Sequence, residues 1–182
     1  MNIIKKFFGH LMTVHKHRKT VRRLCFRCGL YWQGITHDLS KYSPTEFING
    51  VRFFTGKGSP HLGERAKYGY SKAWLHHKSH NKHHAEYWQD ILPDGKSGPI
   101  RMPVKYFAEM MCDRVAASKI YLKDEYTCES PLRYYRTHRD ENQFNLSDRE
   151  KLEDLLLVMA LSGEDIMFDR LKKMCKTNQK GK

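Results

Sequence analysis

His37-Asp38 sets an imidazole nitrogen beside a carboxylate, a donor pair suited to Zn, Fe, Mn or Co. The pair stands in a sequence with 11 histidines, and five of those fall within residues 76–84 of the stretch AWLHHKSHNKHHAEYW. With His15 upstream and Asp113 downstream, it suggests a centre for a divalent transition metal assembled from separate helices. That chemistry makes an enzyme the leading expectation.

The elements carrying these residues read as helices. Ile4, Phe7, Leu11, Val14, Val21, Cys25 and Cys28 recur at helical spacing and predict a first helix over residues 2–29. Gly29 and Gly34 flank a break. Ser43 with Glu46 forms a capping box and Pro44 sits at the first helical position, so a second helix is expected through Phe54. Residues 55–70 hold four glycines without periodicity and read as a long surface loop or lid. Ser71 caps a helix expected to run past Trp88 to Ile91, and PDGKSGPIRMP reads as a second loop. Pro103 opens a helix ending near Lys123, and Ser130-Pro131 starts a short one. Ser147 with Glu150 forms another capping box, opening one long helix through Phe168. No period-two alternation predicts strands. The fold expected is all-α, a single-domain bundle of about six helices over residues 1–176, with 177–182 as a basic, frayed tail.

Helical phase then nominates site residues. On the first helix His15 follows an apolar face of Ile4, Phe8 and Leu11, while His17 lies on the other flank near Val14 and Val21. Periodicity does not separate them cleanly, and the apolar face of the N-terminal half favours His15. Arg18 and Arg22 follow it, placed to meet a phosphate bidentately or to form an exposed basic flank. If residues 71–91 are one helix, Trp74, His77, Asn81, His84 and Trp88 share a stripe, which turns His77 and His84 inward with Asn81 beside them. His80 then faces water, and His76 and His83 stay undecided. Asp113 has Ala116 and Ala117 as helical neighbours, leaving room for an ion, with Glu109 one turn earlier to support an imidazole. Lys41 and Arg114 are candidates for neutralising a phosphate. Glu46 could orient a water, although its capping role already explains it.

The net charge of +13 favours anionic substrates and admits nucleic acid as a partner. Five scattered cysteines and no secretory pattern predict free thiols in a cytoplasmic protein. The lone Cys25-x-x-Cys28 lacks a second pair, so a redox or zinc-ribbon role is not favoured. No segment approaches a membrane span, and no membrane partner is expected.

The ordered set His15, His37-Asp38, Asp113 resembles the HD-domain superfamily of metal-dependent phosphohydrolases. HDLSKYSPTEF, AWLHHKSHNKHHAEYW and EMMCDRVAASKIY also look like a family of short bacterial and phage proteins with no established activity. The superfamily resemblance implies one ion on His15, His37, Asp38 and Asp113, and a second on His77 and His84 with Asp38 bridging. It implies hydrolysis of a nucleotide or other small phosphate ester by hydroxide formed at the metal. By residue type and position, Lys41 and Glu109 join Asp38 as catalytic candidates, and Arg18, Asn81 and Arg114 are placed at the substrate. The dense histidine cluster departs from that pattern, because the superfamily's middle histidines come from separate helices. Two other readings stay open: a di-iron oxygenase of the same superfamily, and a basic nucleic-acid or nucleotide-binding protein with a structural metal. The second draws on RMPVKYF and LRYYRTHR, where cations alternate with aromatics.

Overall fold

The helix Val104–Leu122 is buried from Phe107 through Cys112 and again at Val115 and Ala116, the pattern of a helix surrounded by others. In the computed structural model, which describes residues 1–138 and 143–180, it is the sixth of nine α-helices. These are α1 (Ile3–Arg27), α2 (Tyr31–Thr36), α3 (Pro44–Arg52), α4 (Pro60–Tyr68), α5 (Lys72–His80), α6 (Val104–Leu122), α7 (Ser130–Thr137), α8 (Leu146–Ser162) and α9 (Glu164–Lys180). Two short strands, β1 (Gln89–Ile91) and β2 (Ser97–Pro99), pair antiparallel between α5 and α6. The class is all-α, as expected, with one continuous core.

That core is built where α1, α7, α8 and α9 close around α6. It joins Val21, Leu24 and Cys25 of α1 to Phe107, Met111 and Val115 of α6. Leu152, Leu156 and Met159 of α8 and Met167, Phe168 and Leu171 of α9 complete it. Burying each large side chain stabilises the fold by about 1.5–3 kcal/mol. Polar ties fix the ends: the buried Asp148 carboxylate accepts the Met102 N–H at 2.7 Å, and Glu64 on α4 accepts from Ser71 Oγ at the start of α5. Cys25, Cys28 and Cys112 are free thiols packed in this core.

Several boundaries differ from the sequence reading. Residues 60–68 form α4 rather than loop, opened by Ser59-Pro60 and closed by Gly69 at φ +79°. The expected helix to Ile91 stops at His80, because Asn81 leaves helical geometry at φ −119°, ψ 102°. The chain then passes a short 3-10 turn at Ala85–Tyr87 into the β1–β2 hairpin, whose turn uses Gly95 at φ +78°. The expected break between Gly29 and Gly34 falls at residues 28–30, with Gly29 at φ +76°, while Gly34 already lies inside α2, where a Cβ would press on Cys25 and Phe26 at 3.0 Å. Asn145, not Ser147, caps α8, and Gly163 at φ +89° divides the expected last helix into α8 and α9. Thr177 to Lys180 continue α9, and the last two residues of the expected tail lie outside the described residues.

Candidate metal centre

Asp38 holds left-handed backbone geometry at φ 54°, ψ 28°, a region that aspartate tolerates better than most residues. The His37-Asp38 turn joins α2 to a 3-10 turn at Leu39–Tyr42. Arg18 of α1 braces it: Nε donates to His37 O at 2.8 Å, one terminal nitrogen to Ile35 O at 3.0 Å, and the other to the Tyr42 hydroxyl at 3.3 Å. The result is a carboxylate only 2 % exposed, aimed inward.

The two oxygens of Asp38 face different imidazoles. Oδ2 lies 3.5 Å from His37 Nε2 and 3.7 Å from His17 Nε2. Oδ1 lies 3.4 Å from both His77 Nε2 and His83 Nε2. Asp113 of α6 closes the first set, with Oδ1 2.9 Å from His17 Nε2 and 3.7 Å from His37 Nε2. His84 joins the second set, and within each of the groups His17/His37/Asp113 and Asp38/His77/His83/His84 the donor atoms lie within 4.8 Å of one another. Asp38 Oδ1, His83 Nε2 and His84 Nε2 are buried without a hydrogen-bond partner. Unsatisfied buried acceptors are costly, and a cation shared among them would satisfy all of them. The donor set therefore fits a divalent transition ion.

A further layer of carboxylates fixes the rings. Glu109, one turn before Asp113 on α6, accepts from His37 Nδ1 at 2.9 Å and lies 3.2 Å from His83 Nδ1. Glu46 of α3 takes His76 Nδ1 on one oxygen and His77 Nδ1 on the other, both at 2.7 Å. With Nδ1 on a carboxylate, each of His37, His77 and His83 turns Nε2 toward Asp38, the arrangement that supports a metal-binding imidazole.

The electrostatics follow. Burial pushes the Asp38 carboxyl up, but His37, Lys41, His77 and His83 outweigh it and hold it well below the usual range. Asp113 is likewise held low against burial by His17 and His37. Burial lowers His37, yet the charge of Asp38 and then hydrogen bonds to Asp113 and Glu109 raise it well above its ordinary value. For His84, burial followed by the neighbouring His83 and His77 outweighs the charges of Asp113 and Asp38 and holds it well below. Burial raises Glu46, but its hydrogen bond from His77 and the nearby charge bring it down to about 2.

Residues 6–157 match the model of a family described as a family of unknown function, DUF5662. The chain belongs to the DUF5662 family. The matched span contains every residue from His17 to Asp113. Neither a curated protein nor a solved structure matches it.

Beside the centre this DUF5662 chain has a cavity of about 560 Å³, lined by His17, Asp38, Lys41, His77, His84 and Asp113 and walled by apolar groups including Val14, Phe54, Leu62 and Trp74. His37, Asp38, His77, His84 and Asp113 are thus brought together as expected. His15 is not: it is exposed, accepts from or donates to the Tyr42 hydroxyl at 2.7 Å, and lies outside both donor groups. His17 takes its place because His10, Val14, Val21 and Leu24 form the buried stripe of α1 and His17 falls on it at helical spacing. Ile4 and Phe8, which pointed to His15, are 62 % and 59 % exposed.

Arg18 is a brace for the His37-Asp38 turn rather than a substrate group. Asn81 does not line the cavity; it donates to His77 O at 2.8 Å and Ser40 Oγ at 2.7 Å. The Arg114 guanidinium sits over the Tyr135 and Phe144 rings at 6.0 and 5.7 Å and does not line the cavity. Glu109 is likewise absent from the cavity wall and acts through His37 and His83, as a positioning group and not a catalytic one. Lys41 keeps its expected place, with Nζ 3.4 Å from Asp38 Oδ2. Burial lowers its pKa, but Asp38, Glu46 and Asp113 raise it further, so it is held cationic.

Helical phase over a continuous 71–91 helix leaves His83 undecided; the helix stop at Asn81 is what turns it into the centre, and Asn81 as a stop is the signal available in sequence. By sequence Glu46 reads mainly as a cap. Ser43 Oγ does accept the Glu46 N–H at 3.3 Å, but the Glu46 side chain reaches across to α5.

Proposed function

We propose that this protein is a metal-dependent phosphohydrolase of HD-domain-like architecture, acting on a small phosphate ester such as a nucleotide. The observation carrying the reading is Asp38, a buried carboxylate with one oxygen 3.4 Å from His77 and His83 and the other 3.5–3.7 Å from His37 and His17. That division suits a bridge between two ions. His17, His37, Asp38 and Asp113 would hold one, and Asp38, His77, His83 and His84 the other. Bound divalent ions supply Lewis acidity and lower the pKa of water to about 7.

The chain's own groups serve the rest of the reaction. Lys41, cationic and on the cavity wall, neutralises charge on a phosphoryl oxygen, where a positioned donor is worth most in a water-poor site. Glu109 and Glu46 hold their imidazoles in one tautomer and so preserve the donor geometry. Trp74 and Phe54 provide apolar wall for the organic part of the ester.

The test is elemental analysis of purified full chain together with turnover of phosphomonoester and phosphodiester substrates. Stoichiometric Mn, Fe, Co or Zn and turnover abolished in folded Asp38→Ala are the expected results. A chain that takes up no stoichiometric transition metal under any loading condition overturns the reading.

A second reading, a di-iron oxygenase, draws on the imidazole-rich second group, since His77, His83 and His84 with one carboxylate also suit iron. An iron absorption band in aerobically purified protein, with no phosphate-ester turnover, would decide for it. A basic nucleic-acid-binding protein would instead retain oligonucleotide binding with a steep salt dependence in Asp38→Ala.

A further inference from the structure

α1 carries two faces of opposite use. His10, Val14, Val21 and Leu24 meet the interior. Ile4, Phe8 and Met12 follow at four-residue steps, which places them in a single stripe, and they are 62 %, 59 % and 51 % exposed. On a helix that already has a buried side, a second apolar stripe turned outward is not explained by the chain's own core. Leu11, partly buried, borders it. Beyond its far end Ile35 is 51 % exposed, where the Ile35 carbonyl accepts from Arg18.

The charged side chains of α1 have one sign. No acidic residue occurs before Asp38, and Lys5, Lys16, Lys19, Arg22 and Arg23 flank or continue the exposed side. Lys5, Lys16 and Lys19 are themselves exposed. His10, Thr13, Val14 and His17 line the cavity from other sides of the helix, so the stripe and the cavity use different faces of α1.

We propose that this face of α1 docks the protein on an anionic lipid surface. Ile4, Phe8 and Met12 enter the boundary between headgroups and acyl chains, while the lysines and arginines lie among the lipid phosphates. An outward apolar stripe beside unopposed positive charge is the combination such a surface binds. Nucleic acid would use the same cations but offers the Ile4–Phe8–Met12 stripe no apolar partner. A helix of this length and polarity lies on a bilayer rather than crossing it, and none of the described helices is long and apolar enough to cross. The proposal does not depend on the metal reading, because no metal donor lies on this face.

Sedimentation of the full chain with lipid vesicles tests it, using phosphatidylcholine alone or mixed with phosphatidylglycerol. Binding to the anionic vesicles is expected to be at least about tenfold stronger than to the neutral ones and to weaken with salt. The double variant Ile4→Ser/Phe8→Ser is expected to lose about tenfold or more of that binding. Hydrogen exchange of the unsubstituted chain gives an independent readout, with vesicles protecting α1 amides. Equal or absent binding to the two vesicle types overturns the proposal. So does a correctly folded double variant that binds as the parent does. A dimer that the double variant converts to monomer, without vesicle binding, would assign the stripe to a second copy of the chain and also overturn it.

Discussion

At the scale of single residues, the centre depends on which atom each side chain offers. Asp38→Ala removes a donor from both groups at once, so metal content should fall to zero while circular dichroism stays helical. His17→Ala should lose the ion held with His37 and Asp113, whereas His15→Ala should retain full metal content; elemental analysis of the pair separates the two histidines directly. The reverse outcome would show that the exposed histidine moves inward. Glu109→Gln leaves every donor atom in place but weakens the acceptor that orients His37 and His83. A drop in metal affinity of roughly 10- to 100-fold is expected, read by competition with a chelating dye. Unchanged affinity would reduce Glu109 to a packing role.

At the scale of elements, the site depends on close approach of α3 to α1. Gly50 faces the His10 ring so closely that any Cβ there would overlap it, and His10 is itself packed against Phe47 and Phe54 with ring centroids 5.3 and 6.0 Å away. Alanine ordinarily favours a helix interior over glycine by about 0.5–1 kcal/mol. Here the overlap with a confined ring dominates, so Gly50→Ala should destabilise the fold by about 1–3 kcal/mol, measured by urea unfolding. A stabilised variant would mean that His10 has room to turn. Since α3 also carries Glu46, metal affinity should fall in the same variant.

For the whole molecule, the buried ionisable groups set the response to acid. Burial, followed by the charge of Lys41, lowers His10 from 6.5 to about 4. The folded state therefore resists a proton that the unfolded chain accepts, and stability falls as pH drops from 6.5 toward 4. Glu46 is lowered from 4.5 to about 2, so its contribution is complete above 4.5 and is lost as pH falls toward 2. Urea midpoints across this range should decline first gently and then steeply, and His10→Leu should flatten the upper portion. Transition metal added at neutral pH should raise the melting temperature, because ions held by the folded donors bind the unfolded chain less well. The rise should shrink in acid as protons compete for the same imidazoles. A midpoint independent of metal would contradict the bridging role assigned to Asp38.

Residue types and order determined much on their own. The helical periods of α1 and α6, the Ser43-Pro44 start of α3, and the pairing of His37-Asp38 with Asp113 were legible because each depends on local spacing or donor chemistry. The all-α class followed from the same periodicity. Where the chain leaves a helix was harder to read: Asn81 ends α5 and Gly163 splits α8 from α9, and both act through single backbone angles that periodicity does not register. The tertiary structure decided which apolar stripe of α1 is the core. Ile4–Phe8 and Val14–Val21 are both plausible as sequence, and only the packing of α6 against the second one selects His17 over His15. The same packing leaves Ile4, Phe8 and Met12 outside, because a helix one layer from solvent can bury only one of its sides.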